Sequence, residues 1–457
     1  MWCPLLIKGQ ELICAIDRLG YMGEGIFHHE GQVGFVPFAL PGETVRVVIE
    51  KVSKTHVFAR LHEVVKPSPE RAVPPCQAFT RCGGCALQHL PYRSQLRSKQ
   101  QVVQDNLKKI ARINLKVLPP IGLSQPWAYR NKTTWQAGSG PGGLPVLGFF
   151  AQKSHAVVPV DHCLIVAPEA NLAADCIKQW MRNFSVTPYE PASRLGLIRQ
   201  AVTRVSPSGE VMVLLSVNGA ALPNARELAD MLSSSLPGFH GLAMTSEYLN
   251  EDDEDSLPWQ TLSGNALLTI RLSGISLRLS PMSFSQVNYA VCERMYDHVL
   301  RQAIRDEKDT VFDLYSGIGA LSLAAARKCR QVTGVELSSH AVEDACKNAA
   351  INHISNVQFV QGPAEHKLPL LVQAGQRADA IILDPPHKGV HPKVLQAILQ
   401  AEPRRIVYIS CHPASQARDM AALIQGGYKA IEIQPFDMFC QTAQIECVAL
   451  LSKTDAP

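Results

Sequence analysis

From residue 291 to near its C-terminus the chain alternates helical and strand-like segments, and no other feature constrains the fold as tightly. CERMYDHVLRQAI is followed by TVFDLY, LSLAAARKC, QVTGVEL, HAVEDACKNAAIN, VQFVQG, ADAIILDPP, VLQAILQA, RIVYIS and ARDMAALIQ. Short apolar runs between helical stretches predict an α/β doubly wound parallel sheet, with ligands bound at the carboxyl ends of its strands.

The remaining two thirds read differently. Residues 9 to 64 are short alternating segments separated by turns such as GYMGEG and LPGE, the grammar of a small β-barrel. The proline-rich KPSPERAVPP (66 to 75) closes that unit. Residues 91 to 113 predict a long polar helix, and 125 to 285 mix strand-like runs with turns, including EDDED (251 to 255), expected as an exposed loop. Three regions follow: a barrel over 1–66, a central α+β region over 67–92 and 120–285, and the α/β region over 93–119 and 286–457.

Charge is distributed unevenly. Residues 1 to 112 hold 15 Lys and Arg against 9 Asp and Glu, and the excess at the front favours a polyanion such as RNA. No apolar run approaches the roughly 18 residues of a membrane span. The N-terminal segment does not read as a signal peptide. These features lead to the expectation of a cytoplasmic protein without membrane association, acting as a monomer.

Thirteen cysteines without an export signal imply thiols, metal ligands or catalysts. Cys14, Cys176, Cys292, Cys329, Cys346 and Cys447 are scattered through apolar surroundings and predict small buried side chains. CQAFTRCGGCALQH instead crowds Cys76, Cys82 and Cys85 into ten residues. Three thiolates in so tight a loop suit a soft metal centre, with Cys163 of VDHCLIV as the fourth ligand. Spacing alone leaves zinc and iron-sulfur both open.

TVFDLYSGIGALSLAAA predicts a buried strand, a glycine turn at Gly317 and Gly319, and a helix. Glu336 lies 23 residues beyond Asp313, the distance of a ribose-binding acid. A dinucleotide fingerprint would have a third glycine where Ser322 stands, which disfavours a nicotinamide. S-adenosylmethionine needs no phosphate seat, and acidic strand ends suit its positive charge. Beyond this turn lie ILDPPHKG, SCHP with Cys411, and Glu446 inside an apolar strand. His412 and Arg418 are expected to lower the thiol pKa of Cys411.

These pieces cohere around a pyrimidine. Cys411 adding to carbon 6 of uracil makes carbon 5 nucleophilic, and Glu446 then removes the carbon 5 proton. An amino-group nucleic-acid methyltransferase, using the DPP turn without Cys411, and a non-catalytic iron-sulfur RNA-binding factor are the competing readings.

Nearly the whole chain resembles the RNA uracil-5-methyltransferases of the TRAM-containing, iron-sulfur group that modify 23S ribosomal RNA. IDRLGYMGEGIFHHEGQVGFVPFALPGETVRVVI resembles a TRAM domain, an OB-like RNA-binding barrel. The resemblance implies a [4Fe-4S] cluster on Cys76, Cys82, Cys85 and Cys163, and S-adenosyl-L-methionine lined by Gln286 of SFSQVN, Tyr315, Glu336 and Asp384. It further implies Cys411 as nucleophile, Glu446 as base, and packing of the polar helix with the catalytic domain. Transfer RNA is the alternative substrate. His387, His412, Cys440, Gln444 and Ala320 depart from the residues usual in the family, which bears on substrate choice.

Overall fold

The computed structural model describes residues 6–247, 249 and 257–453, so EDDED lies outside the described residues. At the N-terminus six strands form one curled sheet. Its two long members, Thr44–Val52 and His56–Lys66, carry three register shifts, each of which bends the pair and lets a short sheet wrap around its own core. Val36, Val45, Val47, Ile49 and Val57 fill that core.

The polar segment after the barrel forms an α-helix over Tyr92–Asn106 that continues as a π-turn over Leu107–Ala111. Its buried Val103 and Leu107 pack with the C-terminal sheet. The central region is a mixed seven-stranded sheet whose middle strands, Ile198–Val205 and Val211–Val217, are almost wholly buried. Helices Pro168–Asn183 and Ala225–Ser235 contribute to the core on one face of it. The hairpin Leu268–Leu272 and Ile275–Leu279 packs on helix Ser339–Ile351, where Asn348 and Asn352 bond the backbone of Arg278 and Ser276 at 2.7–2.9 Å.

The C-terminal sheet has seven strands. In spatial order they are Val357–Gln361, Gln331–Glu336, Thr310–Leu314, Ala380–Leu383, Arg405–Ser410, Glu446–Lys453 and Tyr428–Phe436. The first five run parallel, as the helix–strand alternation predicts. Glu446–Lys453 departs from an all-parallel sheet by inserting antiparallel between its neighbours. It joins Tyr428–Phe436 through a short connection, which an antiparallel pair permits and a parallel pair does not. A bulge between Ala430 and Glu432 sets the register of that pair.

Of the six scattered cysteines, five are buried and Cys346 is exposed. Its helix turns Ala341, Ala345, Asn348 and Ala349 to the core, and Cys346 stands one position off that face.

Candidate active site

The first half of the site is a continuous piece of chain. The buried strand Thr310–Leu314 ends beside Tyr315, whose φ of 68° turns the chain sharply, and Gly317 and Gly319 continue the turn into helix Ala320–Ala326. A side chain at Gly319 would be strained and crowded, since a Cβ there would lie 2.7 Å from the Phe359 ring. Ser322, where a third glycine would stand in a dinucleotide fingerprint, donates its hydroxyl to Asp313 at 2.5 Å. Glu336 accepts the N–H groups of Gly317 at 2.8 Å and Ser338 at 2.9 Å, one on each carboxylate oxygen, which fixes its carboxylate at the rim of the turn.

Burial pushes Asp313 up to about 7, helped by the charge of Glu336. Asp384, at the end of the neighbouring strand, is likewise raised to about 7 by burial and by Asp313. Two carboxyls held near neutrality at adjacent strand ends will ionise readily beside a cation. Gln286 lies in a loop braced from the central sheet. Its carbonyl accepts from the Asn131 side chain at 3.0 Å, and the buried Arg204 bonds the carbonyls of Pro281 and Ser283 and the Ser285 hydroxyl.

The second half is assembled from distant segments. Pairing of Ser410 with Cys447 puts Cys411, just past the end of its strand, next to Glu446, the first residue of the antiparallel strand. Glu446 is buried, and burial together with Asp384 pushes its carboxyl well above the usual range. The Cys411 thiol is pushed up to about 12, by burial first and then by Glu446 and Asp384. This corrects the expectation that His412 and Arg418 lower it. His412 caps helix Pro413–Gln425 by accepting from the Ser415 N–H, and its own pKa is lowered by burial, His387 and Arg418. Arg418 is taken up by Asp419 at 2.7 Å and by the Lys388 carbonyl.

Two side chains that the sequence did not single out for this role complete the centre. His387 places Nδ1 3.3 Å from the Cys411 sulfur. Tyr21, from the GYMGEG turn of the N-terminal barrel, donates its hydroxyl to the Cys411 carbonyl at 3.1 Å and sets its ring edge-on to His412 at 5.0 Å.

Cys76, Cys82, Cys85 and Cys163 line one cavity of about 560 Å³ between the segment after the barrel and the central sheet. The Gly84 N–H faces the Cys82 sulfur at 3.3 Å, and Gly83 comes so close to strand Pro145–Phe150 that a Cβ would meet the Phe150 carbonyl at 2.9 Å. Burial pushes the Cys85 thiol up to about 12 and Cys163 to about 11, with Cys76 and Cys82 adding to both and Cys163 also to Cys85. Asn171 pins Cys163 by bonding both its N–H and its carbonyl. Among the described residues no three His, Cys, Asp or Glu side chains converge as ligands of a single ion.

The segment between Phe436 and Glu446 ties these parts together. The Gln441 carbonyl accepts from Ala86 and Leu87, its side chain accepts from Gln95, and Tyr129 bonds the Cys440 carbonyl. Lys99 of the polar helix meets Asp437 at 2.5 Å with both side chains buried. Cys440 itself lies 3.4 Å from the Tyr92 hydroxyl, within the brace between helix and loop.

Residues 265–454 match the tRNA (Uracil-5-)-methyltransferase family and residues 7–62 match the TRAM domain. An RNA methyltransferase of Caldanaerobacter subterraneus subsp. tengcongensis, not characterised further, is 38% identical over 97% of this chain and 98% of its own. The chain belongs to the RNA uracil-5-methyltransferase family. A second such relative, from Halalkalibacterium halodurans, is 37% identical over 97% of both chains. The fold of this RNA methyltransferase recurs in a solved Pyrococcus abyssi tRNA (uracil-54, C5)-methyltransferase in complex with S-adenosyl-L-homocysteine. That structure has a TM-score of 0.76 at 24% identity, covering 96% of this chain and 100% of the other. The family match begins at 265 and so takes in the 268–279 hairpin with the sheet it packs on, while Tyr21 falls within the TRAM match.

Proposed function

We propose that this methyltransferase uses S-adenosylmethionine to methylate carbon 5 of uridine in 23S ribosomal RNA. The observation that carries the reading is the adjacency of Cys411 and Glu446 across the antiparallel strand pair, beside Asp384. The family membership supports RNA and uracil. The bound S-adenosylhomocysteine of the archaeal relative supports the donor, whose part is to supply an electrophilic methyl group. Asp313, Glu336, Asp384, Tyr315 and Gln286 would line it, with Glu336 presented to ribose hydroxyls and the two aspartates to positive charge.

The Cys411 sulfur adds to carbon 6 and drives the carbon 5–carbon 6 electron pair toward the carbonyl oxygen at carbon 4. Carbon 5 then accepts the methyl group. The burial that raises the Glu446 pKa also makes its carboxylate a stronger base, suited to a proton held on carbon. Loss of that proton restores the double bond and expels the sulfur. Cys411→Ala should abolish turnover, and Glu446→Gln should leave a covalent protein–RNA adduct that survives denaturation. Normal turnover by the Cys411 variant would sink this mechanism. An amino-group methyltransferase has no use for Cys411, and nitrogen-bound methyl in the product would favour it.

Transfer RNA is the second reading, favoured by the full-length likeness to a tRNA methyltransferase. Mass spectrometry of ribosomal and transfer RNA from a strain lacking the gene separates the two by which RNA loses 5-methyluridine.

Cys76, Cys82, Cys85 and Cys163 would hold a [4Fe-4S] cluster. The donor set fits, since four thiols share one cavity and the Gly84 N–H faces sulfur. Such a cluster would supply a cross-link between the loop at 76–85 and the central sheet, because methylation needs no electron transfer. Cys82→Ser should lower bound iron and sulfide, and anaerobically purified protein free of both would refute this assignment.

A further inference from the structure

Under the mechanism proposed above, Cys411 is a poor nucleophile as it rests. Its sulfur stands among Glu446 and Asp384, and burial among acids favours the neutral thiol. Addition to carbon 6 therefore needs a group that takes the thiol proton. We infer that His387 is that group, a catalytic residue whose ring nitrogen accepts the Cys411 proton as the sulfur adds and returns it as the sulfur leaves.

The geometry supports this directly. His387 Nδ1 lies 3.3 Å from the sulfur and Nε2 lies 3.8 Å away, both within the reach of an S–H donor. The turn carrying the ring is fixed. Ser415 donates its hydroxyl to the His387 carbonyl at 3.0 Å, the Gly389 N–H closes on the Pro386 carbonyl at 2.8 Å, and Gly389 packs so tightly on Asp419 that a Cβ would lie 2.4 Å from its carboxylate. The ring itself remains exposed, on the open side of the centre.

Several titratable and charged groups surround the imidazole. His412 stands 6.3 Å away, ring to ring, and its own pKa is lowered by burial and by His387 and Arg418. Lys388 follows in the chain, and Arg418 reaches the Lys388 carbonyl while paired with Asp419. Tyr21, from the barrel, binds the Cys411 carbonyl with its hydroxyl. Glu446 and Asp384 are the acids that act on the sulfur itself.

The step balances. The S–H bond breaks as an N–H bond forms on the imidazole, the sulfur pair forms the bond to carbon 6, and the displaced π pair moves to the carbonyl oxygen. When Glu446 has taken the carbon 5 proton, the sulfur–carbon bond breaks, and the imidazolium proton returns to sulfur.

The first test needs no RNA. Iodoacetamide alkylation of Cys411 in the full-length protein, followed at the peptide level by mass spectrometry, is compared between wild type and His387→Gln as a function of pH. Wild-type alkylation should already proceed readily at neutral pH. His387→Gln should react about tenfold or more slowly at neutral pH and keep rising into the alkaline range. Superimposable profiles overturn the inference. In the Glu446→Gln background, His387→Gln should slow adduct formation by about 10²-fold with donor affinity unchanged. Unchanged adduct formation would also overturn it. Absence of 5-methyluridine from the wild-type product would instead strike the proposed reaction, while the alkylation comparison still judges the histidine–cysteine pair.

Discussion

The two halves of the site are built in opposite ways. The glycine turn proposed to hold the donor runs from Asp313 to Gly319 in seven consecutive residues, and its acids hang from the same turn and the next two strand ends. The centre around Cys411 draws on residue 21, the turn at 384–389 and the strand beginning at 446, and is braced through 437–442 by the helix at 92–106. A strand–turn–helix can be encoded locally, whereas a constellation gathered from both ends of the chain exists only when the tertiary structure is complete. Damage far from the chemistry should therefore reach the second half and spare the first.

The largest effect is expected at Lys99. Its removal leaves the Asp437 carboxylate buried and unpaired, which costs about 3–5 kcal/mol. Lys99→Ala should lower the urea midpoint accordingly and reduce turnover more than donor affinity. A double replacement, Lys99→Met with Asp437→Leu, should regain most of the stability. A loss in Lys99→Ala below about 1 kcal/mol would break the comparison.

Gly319→Ala attacks the other half. Forcing a side chain into the left-handed conformation against Phe359 costs about 1–3 kcal/mol. Calorimetry should show weakened S-adenosylmethionine binding, while alkylation of Cys411 stays at the wild-type rate. Equal damage to both would erase the distinction.

Donor binding should also depend on pH. Asp313 and Asp384 sit at about 7, and a positively charged ligand favours their ionised forms. Affinity for S-adenosylmethionine should thus rise as pH increases through 7, by up to about tenfold per unit for each proton released. S-adenosylhomocysteine, which lacks the sulfonium charge, should show a shallower dependence, and identical slopes would remove the aspartates from that role. The smallest change is expected for Tyr21→Phe, which removes one hydrogen bond worth about 1 kcal/mol and should slow turnover roughly fivefold without touching donor affinity.

The same division explains what could be read in the sequence. The parallel strands, the glycine turn and its acids leave local periodicity and punctuation, and the crowding of Cys76, Cys82 and Cys85 is visible in ten residues. ECVALLSK is apolar on both faces, so it announces a buried strand but carries no mark of its direction. Tyr21 contacts a residue 390 positions away, and nothing in GYMGEG distinguishes a turn that caps another domain from one that only joins two strands. The Cys411 thiol was misjudged because neighbours in sequence, His412 and Arg418, were weighed above neighbours in space, Glu446 and Asp384.

The bulge between Ala430 and Glu432 carries a hidden responsibility. A slip of one residue along the last hairpin would swing Glu446 to the opposite face and present an apolar neighbour in its place. Under the proposed mechanism such a protein would still seize its transcript through sulfur yet have no means of letting go, so the kink of a peripheral strand would safeguard release.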